Sequence, residues 1–127
     1  ALDNNDFKTI ITSKEYTTSD GKLTFKSTIQ NNAKRYNIDV PYILGGKTGT
    51  TDGAGLCLAS MASSNNVNYL LVTLGSPYDK KGPHHIEDAK VIYDYFIDNV
   101  SNKKIVDKKV KYKSLKTKYL KEDKIDL

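Results

Sequence analysis

The sequence predicts an α/β fold, an antiparallel sheet with a packed C-terminal helix, and three observations predict it. Two apolar runs, Leu56–Ala62 and Val67–Leu74, are separated only by the polar Ser63-Ser64-Asn65-Asn66, the pattern of an antiparallel hairpin. Just before them, Gly46–Thr51 is a run of small and hydroxylated residues that reads as a third strand. From His84 to Val100 the apolar residues Ile86, Ala89, Ile92, Tyr93, Phe96 and Val100 recur at three- and four-residue steps. That spacing gives one face of an amphipathic helix.

The remaining elements follow in order. Asp6–Ile11 reads as the end of a helix or a short turn of one, with Phe7, Ile10 and Ile11 on one side. Glu15–Thr18 is β-prone, Ser19-Asp20-Gly21-Lys22 is a turn, and Leu23–Lys26 alternates apolar and polar, so a second hairpin is expected there. Asn31–Asp39 is polar and reads as irregular, and Pro41 marks a loop before the Gly46 strand. Gly75-Ser76-Pro77 stops the last sheet strand. After Asn99 the pattern changes to short β-like pieces, Ile105-Val106, Val110–Tyr112 and Ile125–Leu127, in a lysine-rich background. A boundary near Ser101–Lys104 therefore divides residues 1–100 from 101–127, a lysine-rich tail or the start of a small β domain.

Composition narrows the function classes. At 127 residues, 38% of them hydrophobic, one compact unit is the prior. Mean hydropathy is −0.56, and no stretch approaches the roughly 20 apolar residues needed to span a bilayer. The net charge of +5 is unevenly spread. Residues 1–100 carry 10 Lys+Arg against 11 Asp+Glu, and residues 101–127 carry 10 Lys against 4 Asp+Glu. With Arg35 the sole arginine and no aromatic stacking platform, the basic run reads as a solvated surface and not as a nucleic-acid site. Cys57 is the only cysteine, which excludes an internal disulfide, and it reads as a small hydrophobe within Gly55–Ala59.

The chemistry-bearing stretch is Gly45-Gly46-Lys47-Thr48-Gly49-Thr50-Thr51-Asp52-Gly53-Ala54-Gly55. A lysine on a strand beside a pocket fixes a cation near a nucleophile and a substrate carboxylate. The Thr48 hydroxyl can donate to that carboxylate. Gly49 has no side chain, so a substrate backbone can lie flat along the strand. Thr50 offers a backbone N–H as an oxyanion donor. The tripeptide alone also fits an ordinary strand with polar residues facing solvent.

Taken with Ala54-Gly55, the apolar hairpin, Leu74-Gly75 and the helix, this stretch resembles the penicillin-binding proteins and β-lactamases. More narrowly, it resembles the low-molecular-mass serine D-alanyl-D-alanine carboxypeptidases. Their pattern Gly-x-Lys-Thr-Gly-x-Thr, then Ala-Gly, then a strand ending Leu-Gly, is met by Gly45, Lys47, Thr48, Gly49, Thr51, Ala54, Gly55, Leu74 and Gly75. Phe7–Tyr16 is similar to the family segment leading to its hairpin, so the resemblance covers Phe7 to Val100.

The resemblance implies a partial β-lactamase/penicillin-binding-protein-like transpeptidase fold. It implies a parent enzyme that cleaves the terminal D-Ala-D-Ala bond of peptidoglycan stem peptides through an acyl-serine, and that β-lactams acylate. Lys47 would assist proton transfer, Thr48 would bind the terminal carboxylate, Thr50 N–H would complete the oxyanion hole, and Gly49 and Thr51 would shape the strand. Many relatives carry an arginine near the position of His85 to hold that carboxylate. Histidine there is shorter and mostly neutral at pH 7. No metal or organic cofactor is implied, and Glu87 and Asp88 read as dipole partners of a helix N-terminus, not as ligands. The parent is expected outside the cytoplasmic membrane, secreted or anchored to it.

This sequence departs from the family in lacking two of its three motifs. Ser19-Asp20-Gly21-Lys22 and Ser101-Asn102-Lys103-Lys104 fit Ser-x-x-Lys only as strings, and Ser63-Ser64-Asn65 and Ser64-Asn65-Asn66 fit Ser-x-Asn only as strings. Ser19 sits in a hairpin turn, and Ser63 and Ser64 are expected in the turn after the Lys-Thr-Gly strand. The chain therefore reads as the C-terminal half of a catalytic domain, inactive alone, whose exposed sheet favours dimerisation, strand exchange or association with the other half. Two rivals remain: a β-lactamase fragment, disfavoured by the extension after the helix, and a non-catalytic wall-binding or assembly module.

Overall fold

The computed structural model describes residues 1–79 and 81–101, together with two short strands at Ser114–Lys116 and Lys124–Asp126. In chain order the elements are α1 (Asn5–Thr12), β1 (Glu15–Thr17), β2 (Thr24–Lys26), α2 (Thr28–Arg35), β3 (Ile43–Thr51), β4 (Gly55–Ser64), β5 (Val67–Ser76), α3 (His84–Asn99), β6 (Ser114–Lys116) and β7 (Lys124–Asp126). The α/β class and the antiparallel sheet with its packed C-terminal helix are as the sequence predicts: β3, β4 and β5 form one antiparallel sheet in that order, and α3 packs on it.

Local chemistry explains each start. The Asn4 side chain caps α1 by accepting from the Phe7 N–H at 2.8 Å. The β1–β2 hairpin pairs Tyr16 with Phe25, and across it the Thr17 and Thr24 hydroxyls lie 2.9 Å apart. Expected β-like pieces at Ile105-Val106 and Val110–Tyr112 lie outside the described residues. The Ile125 piece falls in β7, which pairs antiparallel with β6 through Leu115 and Ile125.

Four expectations need correction. The polar stretch from Asn31 is not irregular, since α2 runs through Arg35. Ser27 caps this helix and only Ile29 and Ala33 are buried on it, so an i, i+4 pair is its whole apolar face. The β4–β5 turn is two residues long, not four. Asn65 and Asn66 sit at φ 52° and 59°, the left-handed pair that matches the twist of a tight hairpin. Ser63 and Ser64 therefore belong to β4, opposite Asn68 and Val67. On α3 the inward face runs Ile86, Ala89, Tyr93, Ile97, whereas Phe96 is 44% exposed and stacks edge-on against Tyr95. On α1, Ile10 points to solvent and Ile11 is half-buried.

The core lies between the sheet and the helices. Ile29, Ala33, Val40, Ile43, Leu58, Ala62, Ile86, Ala89 and Tyr93 are all buried together, with Tyr42 and Tyr69 edge-on to Tyr93. Each fully buried Ile or Leu in such a cluster contributes about 1.5–3 kcal/mol. The opposite face of β5 is different: Leu70, Val72 and Leu74 are mostly exposed. No helix among the described residues is long and apolar enough to cross a membrane.

Candidate functional site

β3 carries Lys47, Thr48, Gly49, Thr50 and Thr51 in succession, and it is the edge of its sheet. Its only strand neighbour among the described residues is β4, so its other edge presents backbone donors and acceptors to whatever lies alongside. Two glycines set the strand in place. A Cβ on Gly45 would lie 2.1 Å from the Ile11 carbonyl oxygen, and one on Gly46 would lie 2.3 Å from the Ala59 carbonyl oxygen. Only glycine lets α1 and β4 approach the strand this closely just before Lys47.

The register divides the expected site residues between two faces. Lys47 pairs with Ala59 and Gly49 with Cys57, while Thr48 pairs with Leu58 and Thr50 with Leu56. Side chains alternate along a strand, and cross-strand partners share a face. Thr48 and Thr50 thus lie on the face that packs toward α3, and Lys47 and Gly49 lie on the other. Lys47 is exposed, and its Nζ donates to the Thr48 carbonyl oxygen. Gly49 is open: the nearest atom to a Cβ there would be Cys57 Cβ at 3.9 Å. A chain lying along β3 would meet no side chain at that point. The half-buried Cys57 Sγ donates to the Ala54 carbonyl oxygen at 3.4 Å. Thr51 has a local task, since its Oγ1 accepts from the Ala54 N–H at 3.0 Å and closes the β3–β4 turn.

His85 comes from the first turn of α3 and is only 4% exposed. It lines a cavity of about 180 Å³ with Asn32, Tyr36, Leu56, Tyr78, Gly82 and Pro83. Because Leu56 is the partner of Thr50, this cavity belongs to the Thr48–Thr50 face and not to that of Lys47. Burial pushes the His85 imidazole below the ordinary histidine range, against the nearby Asp88 carboxylate. Its Nδ1 is buried with no hydrogen-bond partner among the described residues.

The neighbouring His84 is the feature sequence reasoning missed. Its Nε2 lies 2.8 Å from Asp79 Oδ1 and its Nδ1 lies 2.7 Å from Glu87 Oε2. Hydrogen bonds that its ring N–H groups donate to Asp79 and Glu87 raise its pKa above the ordinary value. The i, i+3 spacing of His84 and Glu87 is visible in the sequence, but the Asp79 contact depends on how the β5–α3 connection folds. Glu87 thus serves a side chain as well as the helix dipole. Among the described residues no group of three His, Cys, Asp or Glu is placed to hold a metal ion.

Residues 2–78 match the family described as D-alanyl-D-alanine carboxypeptidase. The chain belongs to the D-alanyl-D-alanine carboxypeptidase family. The span that shows the carboxypeptidase family runs from before α1 into the residues after β5, takes in Lys47–Thr51, and stops short of His84 and His85. The fold agrees. An evolved penicillin-binding protein homolog from Mycobacterium tuberculosis superimposes with a TM-score of 0.61 over 82% of this chain at 20% sequence identity. This chain spans 38% of the length of that homolog. Among curated proteins, none matches the sequence.

Proposed function

We propose that the chain supplies the substrate strand of a serine-type D-Ala-D-Ala carboxypeptidase acting on peptidoglycan stem peptides. The observation that supports this reading is the Lys47-Thr48-Gly49 edge strand, inside the family match and with no strand on its outer edge among the described residues. A serine held elsewhere in the molecule attacks the carbonyl of the penultimate D-alanine. Its proton passes by way of a basic group to the leaving nitrogen, the C–N bond breaks and D-alanine leaves as the amine. Water then attacks the acyl carbonyl, the ester C–O bond breaks, and the serine regains its proton as the shortened peptide leaves as a carboxylate. Lys47 provides the fixed cation beside that serine. Thr48 donates to the terminal carboxylate, and the Thr50 N–H takes its share of the oxyanion charge. Gly49 leaves room for the peptide to run along β3 as an added strand, and Thr51 holds the β3–β4 turn that fixes its end.

His85 closes the carboxylate end of the site in this reading, as a neutral group behind Thr50. β-Lactams, which mimic the D-Ala-D-Ala end, acylate the same serine. Residues 1–100 form the catalytic-domain portion in this reading, and 101–127 are a lysine-rich tail or the start of a small β domain. The enzyme acts outside the cytoplasmic membrane, where its substrate lies. The 127 residues alone are inactive, because a strand that stabilises a tetrahedral intermediate does nothing without the attacking serine.

Fluorescent penicillin tests this reading, applied to the chain alone and to the chain mixed with a segment bearing Ser-x-x-Lys and Ser-x-Asn. Covalent label on that segment only, and only in the mixture, is the expected result. Label on the chain alone would identify a nucleophile among its own serines. No label in a mixture shown to form a complex would favour the wall-binding module instead.

A further inference from the structure

The His84 contacts have a protonation requirement that the geometry states directly. A neutral imidazole carries one N–H and one lone pair, while the imidazolium carries two N–H donors. Here both ring nitrogens lie within 2.8 Å of carboxylate oxygens, Asp79 Oδ1 on one side and Glu87 Oε2 on the other. Only the protonated ring satisfies both. Asp79 stands on the connection between β5 and α3, and Glu87 stands on α3 itself. The ring therefore joins the connection to the helix.

The same connection forms a wall of the cavity at His85, through Tyr78, Gly82 and Pro83. Glu87 leans over it: a Cβ on Gly82 would lie 3.5 Å from Glu87 Oε1. Among the described residues, the other titratable groups near the ring are Lys81, which meets it through Asp79, and the adjoining His85, beside which Asp88 stands. Lys81 Nζ lies 3.6 Å from Asp79 Oδ2, and its backbone N–H donates to Asp79 Oδ1 at 3.0 Å. The Asp88 carboxylate is engaged by the Ser76 hydroxyl. Lys81 pairs with Asp79 whether or not His84 is charged, so it cannot replace the bond to Glu87.

We propose that His84 is a pH-sensitive clasp, which when protonated ties Asp79 of the β5–α3 connection to Glu87 of α3 and so fixes the cavity wall beside His85. On losing its proton the ring keeps one carboxylate and turns a lone pair toward the other. Because His84 and Glu87 both stand on α3, the Asp79 bond alone joins the connection to the helix, and when Glu87 keeps the remaining N–H it is this tie that opens and Tyr78 and Gly82 lose their fixed position. The clasp acts on the cavity and not on Lys47, which lies on the other face of the sheet.

The test is an NMR titration of the full 127-residue chain, following the His84 ring, the Tyr78 ring and the Gly82 amide together. His84 is expected to titrate above the ordinary value of about 6.5, with the Tyr78 and Gly82 signals moving at the same midpoint. His85 serves as the internal contrast, because its buried ring titrates on the other side of that value. In D79N and E87Q the His84 midpoint falls, and in H84Q the Tyr78 and Gly82 signals no longer move in that range. If H84Q does not fold, D79N keeps the ring and carries the test through its midpoint alone. A His84 midpoint at or below 6.5, or Tyr78 and Gly82 signals that ignore it, would overturn the proposal.

Discussion

Tyr93 Oη lies 2.9 Å from both the hydroxyl and the carbonyl oxygen of Ser60, joining the middle of α3 to the middle of β4 inside the core. The phenol donates to the carbonyl and accepts from the Ser60 hydroxyl, so both polar groups are satisfied where water cannot reach them. Ser60 is 1% exposed and Tyr93 2%. Y93F keeps the ring packing but leaves the Ser60 hydroxyl buried without its partner, and is expected to cost about 1–3 kcal/mol in urea unfolding. S60A leaves the phenol bonded to the carbonyl and costs less. A double variant no worse than Y93F alone would show the two groups acting as a unit. Equal and additive losses would contradict the arrangement.

Much of this fold was legible because its apolar residues gather in runs bounded by clear turn residues. β4 reads as a strand from its apolar run, although Ser60, Met61 and Ala62 are buried in succession, and on α3 the step of three and four from Ile86 to Tyr93 marks the helix without further help. α2 was not legible: Ile29 and Ala33 are its whole buried face, and the other residues match those of a polar loop. The β4–β5 turn was misjudged in length because two serines read as turn residues, while the left-handed Asn65-Asn66 pair suffices. At the site, the Lys-Thr-Gly string could be found by eye. That Lys47 and Thr48 occupy opposite faces follows from the β3–β4 register, and the Asp79–His84 contact follows from the path of a connection. Neither leaves a local signal in the sequence.

Gly45 should be intolerant of any side chain. A Cβ there meets the Ile11 carbonyl oxygen and Thr12 Cα, at 2.1 Å and 2.8 Å, and both are backbone atoms that no rotamer can move aside. G45A must push α1 away from β3. A loss of about 1–3 kcal/mol is expected, the range for overfilling a packed site. Faster amide exchange in α1 would accompany it. An unchanged thermal midpoint would mean that α1 does not rest on the strand.

Stability should fall in acid partly through Asp94. Burial pushes its carboxyl up, but hydrogen bonds from Lys90 and the Tyr42 phenol outweigh this and hold its pKa below the usual value. Burial, with the Asp94 bond, pushes the Tyr42 phenol up in turn. A carboxyl with a lowered folded-state pKa contributes stability that is present above its unfolded value of about 3.9 and lost as pH falls through the lower folded value. D94N is therefore expected to flatten the acid limb of a urea-midpoint profile below about pH 4. A D94N profile parallel to the parent's would remove Asp94 from the account.

The outward face of β5 should drive association of the isolated chain. Leu70, Val72 and Leu74 are 67%, 59% and 73% exposed on one side of a strand, beside Ala59 of β4, which is also exposed. A contiguous apolar face of this kind is uncommon on a stable monomer. Sedimentation at micromolar concentration is expected to give a dimer or larger species. The paired substitution V72K and L74K, made on solvent-facing positions, should return it to a monomer without loss of helix or strand signal. A parent chain that is already monomeric would refute the expectation.

Lys47 carries the sharpest test of the proposed chemistry, because the structure gives it little else to do. It is exposed, its Nζ reaches only the Thr48 carbonyl oxygen among the hydrogen-bond partners described for it, and no carboxylate pairs with it among the described residues. K47A should therefore leave the unfolding midpoint within experimental error, as surface changes usually do. In a complex that carries the serine motifs, the same substitution should slow acylation by fluorescent penicillin roughly 10²-fold, the lower range for losing a positioned proton-transfer group. T48A should weaken capture of the substrate carboxylate, with labelling restored at higher penicillin concentration, whereas K47A should not be rescued in that way. Full-speed labelling of K47A would remove the lysine from the reaction and leave β3 as a binding edge alone.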